Sequence, residues 1–567
     1  MVDLQATPFF LDDEASKWVS DTVGSLTLKE KVGQLFCEIL WNPDEASRDD
    51  FFRVITPGAV MYRPFSGLQM NKISRDLQLR AKVPMLIACN LERGGSGGNG
   101  GLLDGTYIGS PMGVAATGDV VHAYRTGVVA GREGAAAGIN WTFGPIVDID
   151  HNPFNPITNV RTYGSDIETI INMARGYISG CWDSDLGVTL KHFPGDGIDF
   201  RDQHLMTTVN SLTADEWRAT FGKIYQSLID FGAQAVMSAH IMQPALSRLT
   251  NLELQDGDIV PSSLSVELNV GVLRDELGFN GVIVTDATQM VGFTSAMPRS
   301  KAVPTAIANG CDMFLFTINQ LEDVDYMLAG VEDGTLSHER LDDAVTRILA
   351  MKASLKLHVK QRQGCLVPEV DALAVLRCEE HVRWAHECAD KAVTLVRDRE
   401  GLLPLSSVRH RQVVLVAVTN DDGSVGVPPE IAEFKTLLEC EGFLVKYFSE
   451  VPRPGRQLAV KEYATKVDLL IYYADMKVSS SHTTVRLTWD DFLGESSPKY
   501  VKDIPAIFVS FSNPYHLVDV PMMQTYINAY SSNSSTVHAV IEKLLGRSTF
   551  KGRSPIDPSA GLWDTDR

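Results

Sequence analysis

Short apolar runs recur along the chain between residues 35 and 317, separated by segments of mixed polarity. Most of these runs are continuously apolar rather than alternating, which is typical of parallel strands buried on both faces. The segments between them are amphipathic. One of them, 212–232, has Thr213 near its start and Glu216 three residues later, which is a helix capping pattern. The predicted strands are residues 35–40, 58–62, 83–90, 139–150, 187–192, 234–240, 281–286 and 311–317.

Eight strands alternating with helices predict an α/β fold of the (β/α)8 TIM-barrel type. A doubly wound open sheet shows the same alternation, because a sequence does not reveal closure. The helical pattern at 338–357 ends this unit, and 360–373 has the glycine, proline and mixed charge of a connector. We predict a catalytic barrel over residues 1–358 and a linker over 359–388.

A second alternation follows the linker and predicts a smaller α/β sandwich domain over residues 389–567. A helical pattern at 534–546 follows the last of its apolar runs. Asp490 and Asp491 of this domain are considered as contributors to an active site, although no motif supports them. The apolar runs are residues 412–419, 443–448, 467–474, 504–511 and 525–531.

Reactive polar residues cluster where the apolar runs of the barrel end. In α/β folds the carboxyl ends of the strands are where active sites are built. Strands also commonly end in ordinary polar turn residues, but six ends with reactive groups exceed what that explains. The residues concerned are Asn90, Asp148, Lys191, His192, His240 and Asp286.

Composition narrows the classes of partner. The net charge of −20 over 567 residues argues against nucleic acid or an anionic membrane surface as the main partner. No apolar run is long enough to span a membrane, and the first residues lack the pattern of a signal peptide. The eight cysteines are scattered without a C-x-x-C pair, which favours reduced thiols. We predict a cytoplasmic protein with a small-molecule substrate; the oligomeric state stays open.

The stretch 190–204 contains two histidines, three aspartates and one lysine. His192 and His204 are twelve residues apart, a spacing that matches no familiar zinc motif, so we predict no metal site. A charged, glycine-bent loop without chemistry is the plain alternative. In the third interpretation, Lys191 and His192 donate hydrogen bonds to a neutral ligand. Asp202 then raises the basicity of His204 for acid–base catalysis, on a loop that its glycines allow to swing over a substrate.

Asp286 ends the apolar run GVIVTD and is the candidate partner that makes the bond. A carboxylate there can attack an acetal carbon and form a covalent glycosyl intermediate that water later cleaves. The alternative is that Asp286 caps the N-terminus of the following helix. Both interpretations remain open from the residues alone.

These motifs together resemble glycoside hydrolase family 3, in particular its β-N-acetylhexosaminidase branch. The run KHFPGDG (191–197) followed by DQH (202–204) is similar to the signature of that branch, and GVIVTDATQM resembles the nucleophile strand of the family. Further stretches are similar in the order that the family has them, so the resemblance as a whole extends over most of the chain. They are residues 143–166, 235–246, 340–352 and, opening the second domain, 389–405.

The resemblance implies a role for each matching residue. Asp286 would be the nucleophile, and His204 assisted by Asp202 would be the acid/base. Lys191, His192 and Arg161 would hold the sugar hydroxyls or the N-acetyl group. The anomeric configuration would be retained, and neither a metal nor an organic cofactor is implied. A neutral imidazole would not repel an incoming anion, so phosphate could replace water as the acceptor.

One position departs from the family pattern. The third strand of family members ends in an aspartate that grips sugar hydroxyls, in a D-x-E-G-G-like run. Here that site is Asn90, with Glu92 two residues on and Arg93 inserted before the glycines. Asn90 still bonds a hydroxyl but carries no charge, so either Glu92 takes over the grip or the sugar preference has changed.

We therefore predict a retaining exo-β-N-acetylglucosaminidase that removes terminal N-acetylhexosamine from chitin- or peptidoglycan-type oligosaccharides. A β-N-acetylglucosaminide phosphorylase or a β-glucosidase on the same fold is the alternative. A non-catalytic sugar-binding protein that kept the scaffold is the remote one.

Overall fold

The computed structural model describes residues 2–97, 101–420, 427–489 and 492–566, so Asp490 and Asp491 lie outside the described residues. Contacts divide the chain into two compact units. Unit 1 comprises Met1–Tyr107, Ala123–Asn152 and Ile167–His381, and unit 2 comprises Ile108–His122, Pro153–Asp166 and Val382–Arg567. The boundaries expected at 358 and 389 stay a prediction.

The strands of unit 1 are β1 (Phe36–Leu40), β2 (Ala59–Tyr62), β3 (Leu86–Cys89), β4 (Trp141–Thr142), β5 (Thr189–Phe193), β6 (Thr208–Val209), β7 (Ala235–Ser238), β8 (Ile241–Met242), β9 (Val282–Thr285) and β10 (Phe314–Leu315). The strands of unit 2 are β11 (Thr394–Asp398), β12 (Gln412–Thr419), β13 (Leu444–Tyr447), β14 (Leu469–Asp475), β15 (Ala506–Ser510) and β16 (Thr525–Asn528).

The α-helices, in chain order, are α1 (Asp13–Ser25), α2 (Leu28–Gln34), α3 (Glu45–Phe51), α4 (Gly67–Arg80), α5 (Pro111–Ala116), α6 (Val120–Ala136), α7 (Ile167–Trp182), α8 (Ala214–Trp217), α9 (Lys223–Phe231), α10 (Pro244–Thr250), α11 (Val291–Thr294), α12 (Arg299–Ala308), α13 (Gln320–Glu332), α14 (His338–Ser354), α15 (Leu357–Arg362), α16 (Glu379–Ala392), α17 (Pro429–Cys440), α18 (Val460–Tyr463), α19 (Ser534–Leu544) and α20 (Trp563–Asp566). Two π-helical segments are Arg218–Gly222 and Glu267–Glu276.

The strands of unit 1 form a closed ring. Parallel pairing gives a five-stranded sheet, β10-β1-β2-β3-β4, and a three-stranded sheet, β5-β7-β9. Trp141 of β4 bridges to Gly187 just before β5, and Val284 of β9 bridges to Met313 just before β10. In the described part of the chain the ring thus follows chain order, and each predicted barrel run overlaps one of its strands. The (β/α)8 barrel is confirmed, and the open-sheet alternative is wrong for this unit.

Helices begin at capping residues, as the sequence predicts at Thr213. The Thr213 hydroxyl accepts from the Glu216 N–H while the Glu216 carboxylate accepts from the Thr213 N–H, so the capping box starts α8. A π-helical segment then leads into α9, which ends at Gly232 in the left-handed conformation that glycine adopts without strain. Ser337 caps α14, the helix expected at the end of the barrel.

Unit 2 is a six-stranded sheet in the order β11-β16-β15-β14-β12-β13. Its strands are buried on both faces: along β12, Val413 and Leu415 belong to one hydrophobic cluster, whereas Val414 and Val416 belong to another. This explains why the runs read as continuously apolar. The α/β sandwich is confirmed, including the helix at α19. The strand β11, antiparallel to β16, was not predicted.

Two further expectations concern cysteines and membranes. All eight cysteines have free thiols, six of them wholly or partly buried. No helix among the described residues is long and apolar enough to cross a bilayer.

A buried glutamate on β1 makes stability depend on pH. Glu38 Oε2 accepts a hydrogen bond from Thr317 Oγ1 at 2.6 Å. Burial is the main cause that raises the pKa of Glu38 to about 7. Unfolded glutamates titrate near about 4.3, so the native state binds this proton more tightly than the unfolded chain. The free energy of unfolding therefore falls as pH rises between these two values.

We expect Glu38→Gln to remove this fall in the free energy of unfolding at higher pH, because glutamine stays neutral and keeps an acceptor oxygen for Thr317. The stability gain over the unaltered chain should be larger at pH 8 than at pH 5 by roughly 2 kcal/mol. Urea unfolding at both pH values measures it. Glu332→Gln, at an exposed helix end, is the matched control. An equal gain at both pH values would show that Glu38 is not the group that titrates.

Candidate active site

The ends of β3 and β5 meet through a lysine. Lys191 Nζ donates to Glu92 Oε1 at 2.8 Å and to Asn90 Oδ1 at 3.2 Å. Lys191 and Glu92 are both buried, whereas Asn90 is half-buried. Glu92 is thus the carboxylate partner of this lysine, and the takeover of the sugar grip by Glu92 stays a prediction. The three predicted residues lie together, as a polar surface suited to sugar hydroxyls.

His192 is oriented by Asp148, which follows β4. His192 Nδ1–H donates to Asp148 Oδ2 at 2.7 Å, and the backbone N–H groups of His192 and Asp196 donate to Asp148 Oδ1. Burial acts to raise the pKa of Asp148, but His192 and these N–H groups bring it below the ordinary value. Asp148 is therefore ionised and leaves His192 Nε2 available to a ligand. The sequence marked Asp148 only as a polar strand end.

Asp202 and His204, the pair with a predicted acid/base role, are in direct contact. His204 Nδ1 lies 2.6 Å from Asp202 Oδ1, and the His204 backbone N–H donates to the same oxygen. The Asp202 carboxylate is fully buried, whereas a quarter of the His204 side chain is exposed. This contact occupies Nδ1, so Nε2 is the ring nitrogen that the predicted acid/base role would use.

Asp286 follows β9 and is partly exposed. Its backbone N–H donates to the Ser238 carbonyl, and its Oδ1 accepts from the Ala287 N–H at 2.7 Å. Burial acts to raise the pKa of Asp286, but the imidazoles of His192 and His204 and the Ala287 N–H bring it below the ordinary value of an aspartate. An ionised carboxylate close to three histidines suits nucleophilic attack.

His240, at the end of β7, supports the backbone beside Asp286. Its Nδ1 accepts from Ser263 Oγ at 2.8 Å, and Nε2–H donates to the Ala287 carbonyl at 3.0 Å. Burial lowers the pKa of His240, so the ring is neutral and this tautomer is the one that both partners allow. His240 thus has a structural role at the site, which its place at a strand end did not reveal.

Three further interpretations concern a capping role of Asp286, a metal ion and a sugar contact of Arg161. The next helix after Asp286 is α11, whose N-cap is Met290, so the capping interpretation of Asp286 is wrong. In the described ranges, no group of three or more His, Cys, Asp or Glu side chains is arranged to hold a metal ion. Arg161 lies in unit 2, where Nη1 donates to the Ile157 carbonyl at 3.2 Å. Its role as a sugar ligand stays a prediction.

The family follows from comparison with known proteins. The model of the glycosyl hydrolase family 3 N-terminal domain matches residues 27–351. A β-N-acetylglucosaminidase/β-glucosidase of Cellulomonas fimi is 41% identical over 572 residues and covers 100% of both chains. The chain belongs to glycosyl hydrolase family 3. The family resemblance of the sequence is thereby confirmed, and the chain is an enzyme of that family.

Two solved family structures extend the comparison. A β-glucoside phosphorylase bound to 2FGlc is 54% identical, with a TM-score of 0.96 and 99% of both chains covered. A family 3 β-N-acetylglucosaminidase from Paenibacillus sp. str. FPU-7 is 26% identical, with a TM-score of 0.79, and covers 95% of this chain and 100% of its own. Both support the barrel-plus-sandwich architecture.

Proposed function

We propose that this chain cleaves terminal β-linked glucose from glycosides and transfers it to inorganic phosphate, through a covalent glycosyl ester on Asp286. The observation that carries the reaction class is the 2.6 Å contact between His204 Nδ1 and the buried Asp202 carboxylate, because it makes an imidazole the acid/base. The choice of phosphate and of glucose rests on the 54% identical β-glucoside phosphorylase.

In the first step a carboxylate oxygen of Asp286 attacks the anomeric carbon. The glycosidic C–O bond breaks, and its electron pair leaves with the aglycone oxygen, which takes the proton from His204 Nε2. Lys191, His192, Asn90 and Glu92 hold the hydroxyls of the sugar during this displacement. His204 ends the step neutral, still hydrogen-bonded to Asp202 through Nδ1.

In the second step a phosphate oxygen attacks the same carbon from the opposite face of the ester. The bond to Asp286 breaks and its carboxylate is restored, while His204 takes a proton from dihydrogen phosphate. A carboxylate in place of His204 would be negative at this point and would repel the anion, whereas a neutral imidazole does not. Two inversions retain the β configuration in the sugar 1-phosphate.

Hydrolysis of β-N-acetylglucosaminides is the second candidate. The Cellulomonas fimi relative, whose name carries both β-N-acetylglucosaminidase and β-glucosidase activities, favours it. The reaction differs only in that water attacks the glycosyl ester and gives its proton to His204. The two candidates therefore share the first step and differ in acceptor and sugar.

The deciding measurement is turnover of 4-nitrophenyl β-glucoside and β-N-acetylglucosaminide in phosphate-free buffer and with added phosphate. We expect turnover of the glucoside to rise at least ~10-fold with phosphate, and ³¹P NMR to show a sugar 1-phosphate, because the anion meets no like charge at the ester. Chloride at equal ionic strength is the control for screening. Phosphate-independent release of free sugar would overturn phosphorolysis and select hydrolysis.

A further inference from the structure

The loop that carries Asp202 and His204 is closed at its base by a carboxylate. Asp199 Oδ1 accepts from Arg201 Nε at 2.8 Å, and its Oδ2 accepts from Arg201 Nη2 at 2.6 Å and from the Val209 N–H at 3.0 Å. The two ends of the segment 199–209 are therefore joined. The movement of this loop over a substrate stays a prediction.

The tip of the same loop is tied to the segment that follows Asp286. The Val291 N–H donates to the His204 carbonyl at 3.1 Å, and Thr207 Oγ1 donates to the Gly292 carbonyl at 2.9 Å. A Cβ at Gly292 would lie 2.7 Å from the Gln203 carbonyl oxygen, so the glycine allows the two backbones to touch. The acid/base loop and the nucleophile segment are thus packed directly against each other.

Gln203 connects this loop to the buried backbone at the end of β7. Its side chain is fully buried, and Oε1 accepts from the His240 backbone N–H at 3.0 Å. His240 in turn donates from Nε2 to the carbonyl of Ala287, the residue next to Asp286. One series of hydrogen bonds therefore runs from the residue beside the acid/base to the residue beside the nucleophile.

Burial of the Gln203 amide has an energetic cost. Its Nε2 is buried with no hydrogen-bond partner among the described residues. A buried amide with an unpaired donor is uncommon and calls for a reason. A methionine would fill a similar volume without this penalty, so the acceptor oxygen is what the glutamine contributes at this position.

We propose that Gln203 is a positioning residue that sets the distance between the His204 imidazole and the Asp286 carboxylate before substrate arrives. The inference rests on the proposed acid/base role of His204. It concerns the first step, in which the aglycone needs the proton of His204, and that step is the same whether phosphate or water attacks afterwards.

The test is Gln203→Met in the full-length chain, with kcat/KM measured for aryl glycosides of two leaving-group classes. For phenyl glycosides, which need protonation, we expect kcat/KM to fall about 10- to 100-fold, because a displaced acid loses most of its effect. For 2,4-dinitrophenyl glycosides, which leave without a proton, we expect a change below about 3-fold. Both are measured on the sugar that the unaltered chain turns over.

Two further variants define the contacts involved. Thr207→Val removes the hydroxyl that bonds the Gly292 carbonyl and should show the same selective loss, though smaller. Thr294→Val is its matched control, since Thr294 is exposed and its hydroxyl donates to the carbonyl of Met290, the N-cap of the same helix, at 3.3 Å. Gln203→Glu keeps an acceptor for the His240 N–H and should retain more activity than Gln203→Met.

Hydrogen exchange gives a readout that does not depend on turnover. The amides of residues 202–209 should exchange faster in Gln203→Met than in the unaltered chain. Equal losses on both leaving-group classes, or no loss on either, would overturn the positioning role. Phosphate-independent turnover would overturn phosphate as the proposed acceptor. The ratio of kcat/KM for phenyl and dinitrophenyl glycosides would still test the positioning role. An unaltered chain that cleaves neither class would overturn both proposals.

Discussion

Replacement of Asp286 by alanine is expected to lower kcat/KM for aryl β-glycosides roughly 10⁵-fold or more. Alanine leaves no oxygen to attack the anomeric carbon. Neighbouring imidazoles hold the pKa of Asp286 below the ordinary value. In the unaltered enzyme, the fall in kcat/KM that accompanies protonation of Asp286 should therefore lie below about pH 4.

Trapping distinguishes loss of the nucleophile from loss of folding. A 2-deoxy-2-fluoro aryl glucoside should label the unaltered chain on the peptide that contains Asp286, as a mass increase in the digest, and should leave Asp286→Ala unlabelled. Asp325→Ala, at an exposed position of α13, is the control and should keep full activity. Labelling of Asp148 or Asp202 instead would move the nucleophile to that residue.

Replacement of His204 by alanine is expected to cost about 10²- to 10⁴-fold in kcat/KM for phenyl glycosides, the usual contribution of a general acid. For dinitrophenyl glycosides, which leave without a proton, kcat/KM should be nearly unchanged. The loss of kcat/KM should therefore differ between the two leaving-group classes by that factor. Asp202→Asn should fall between the unaltered chain and His204→Ala, since the amide no longer stabilises the imidazolium that protonates the aglycone.

Exposed histidines provide the control for this prediction. His338→Ala, at the first residue of α14 and exposed to solvent, should change neither class of substrate. Azide should restore part of the turnover of His204→Ala by attacking the glycosyl ester without base catalysis. A His204→Ala variant that loses activity equally on both leaving groups would show that His204 supports the fold or binds the sugar rather than donating a proton.

Much of the fold and of the site was predictable because parallel strands leave a direct record in the sequence. A strand buried on both faces is apolar over most of its length, and one such as β9, Val282–Thr285, ends where its backbone reaches the carboxyl edge. Asp286 and the pair Lys191 and His192 could be found for that reason. The dyad Asp202 and His204 was found because its members are only two residues apart.

The sequence by itself determined the order of the barrel strands, the second sheet and the candidate nucleophile and acid/base, since each depends on local pattern or on spacing of a few residues. The closure of the strands into a ring came from the tertiary structure. Only the tertiary structure decided which residues hold them in place. Gln203 meets His240 across 37 residues, Asp148 meets His192 across 44, and Glu92 meets Lys191 across 99. Such contacts depend on how separate strands are brought side by side, and hydrogen bonds between distant residues leave no periodic trace in the chain.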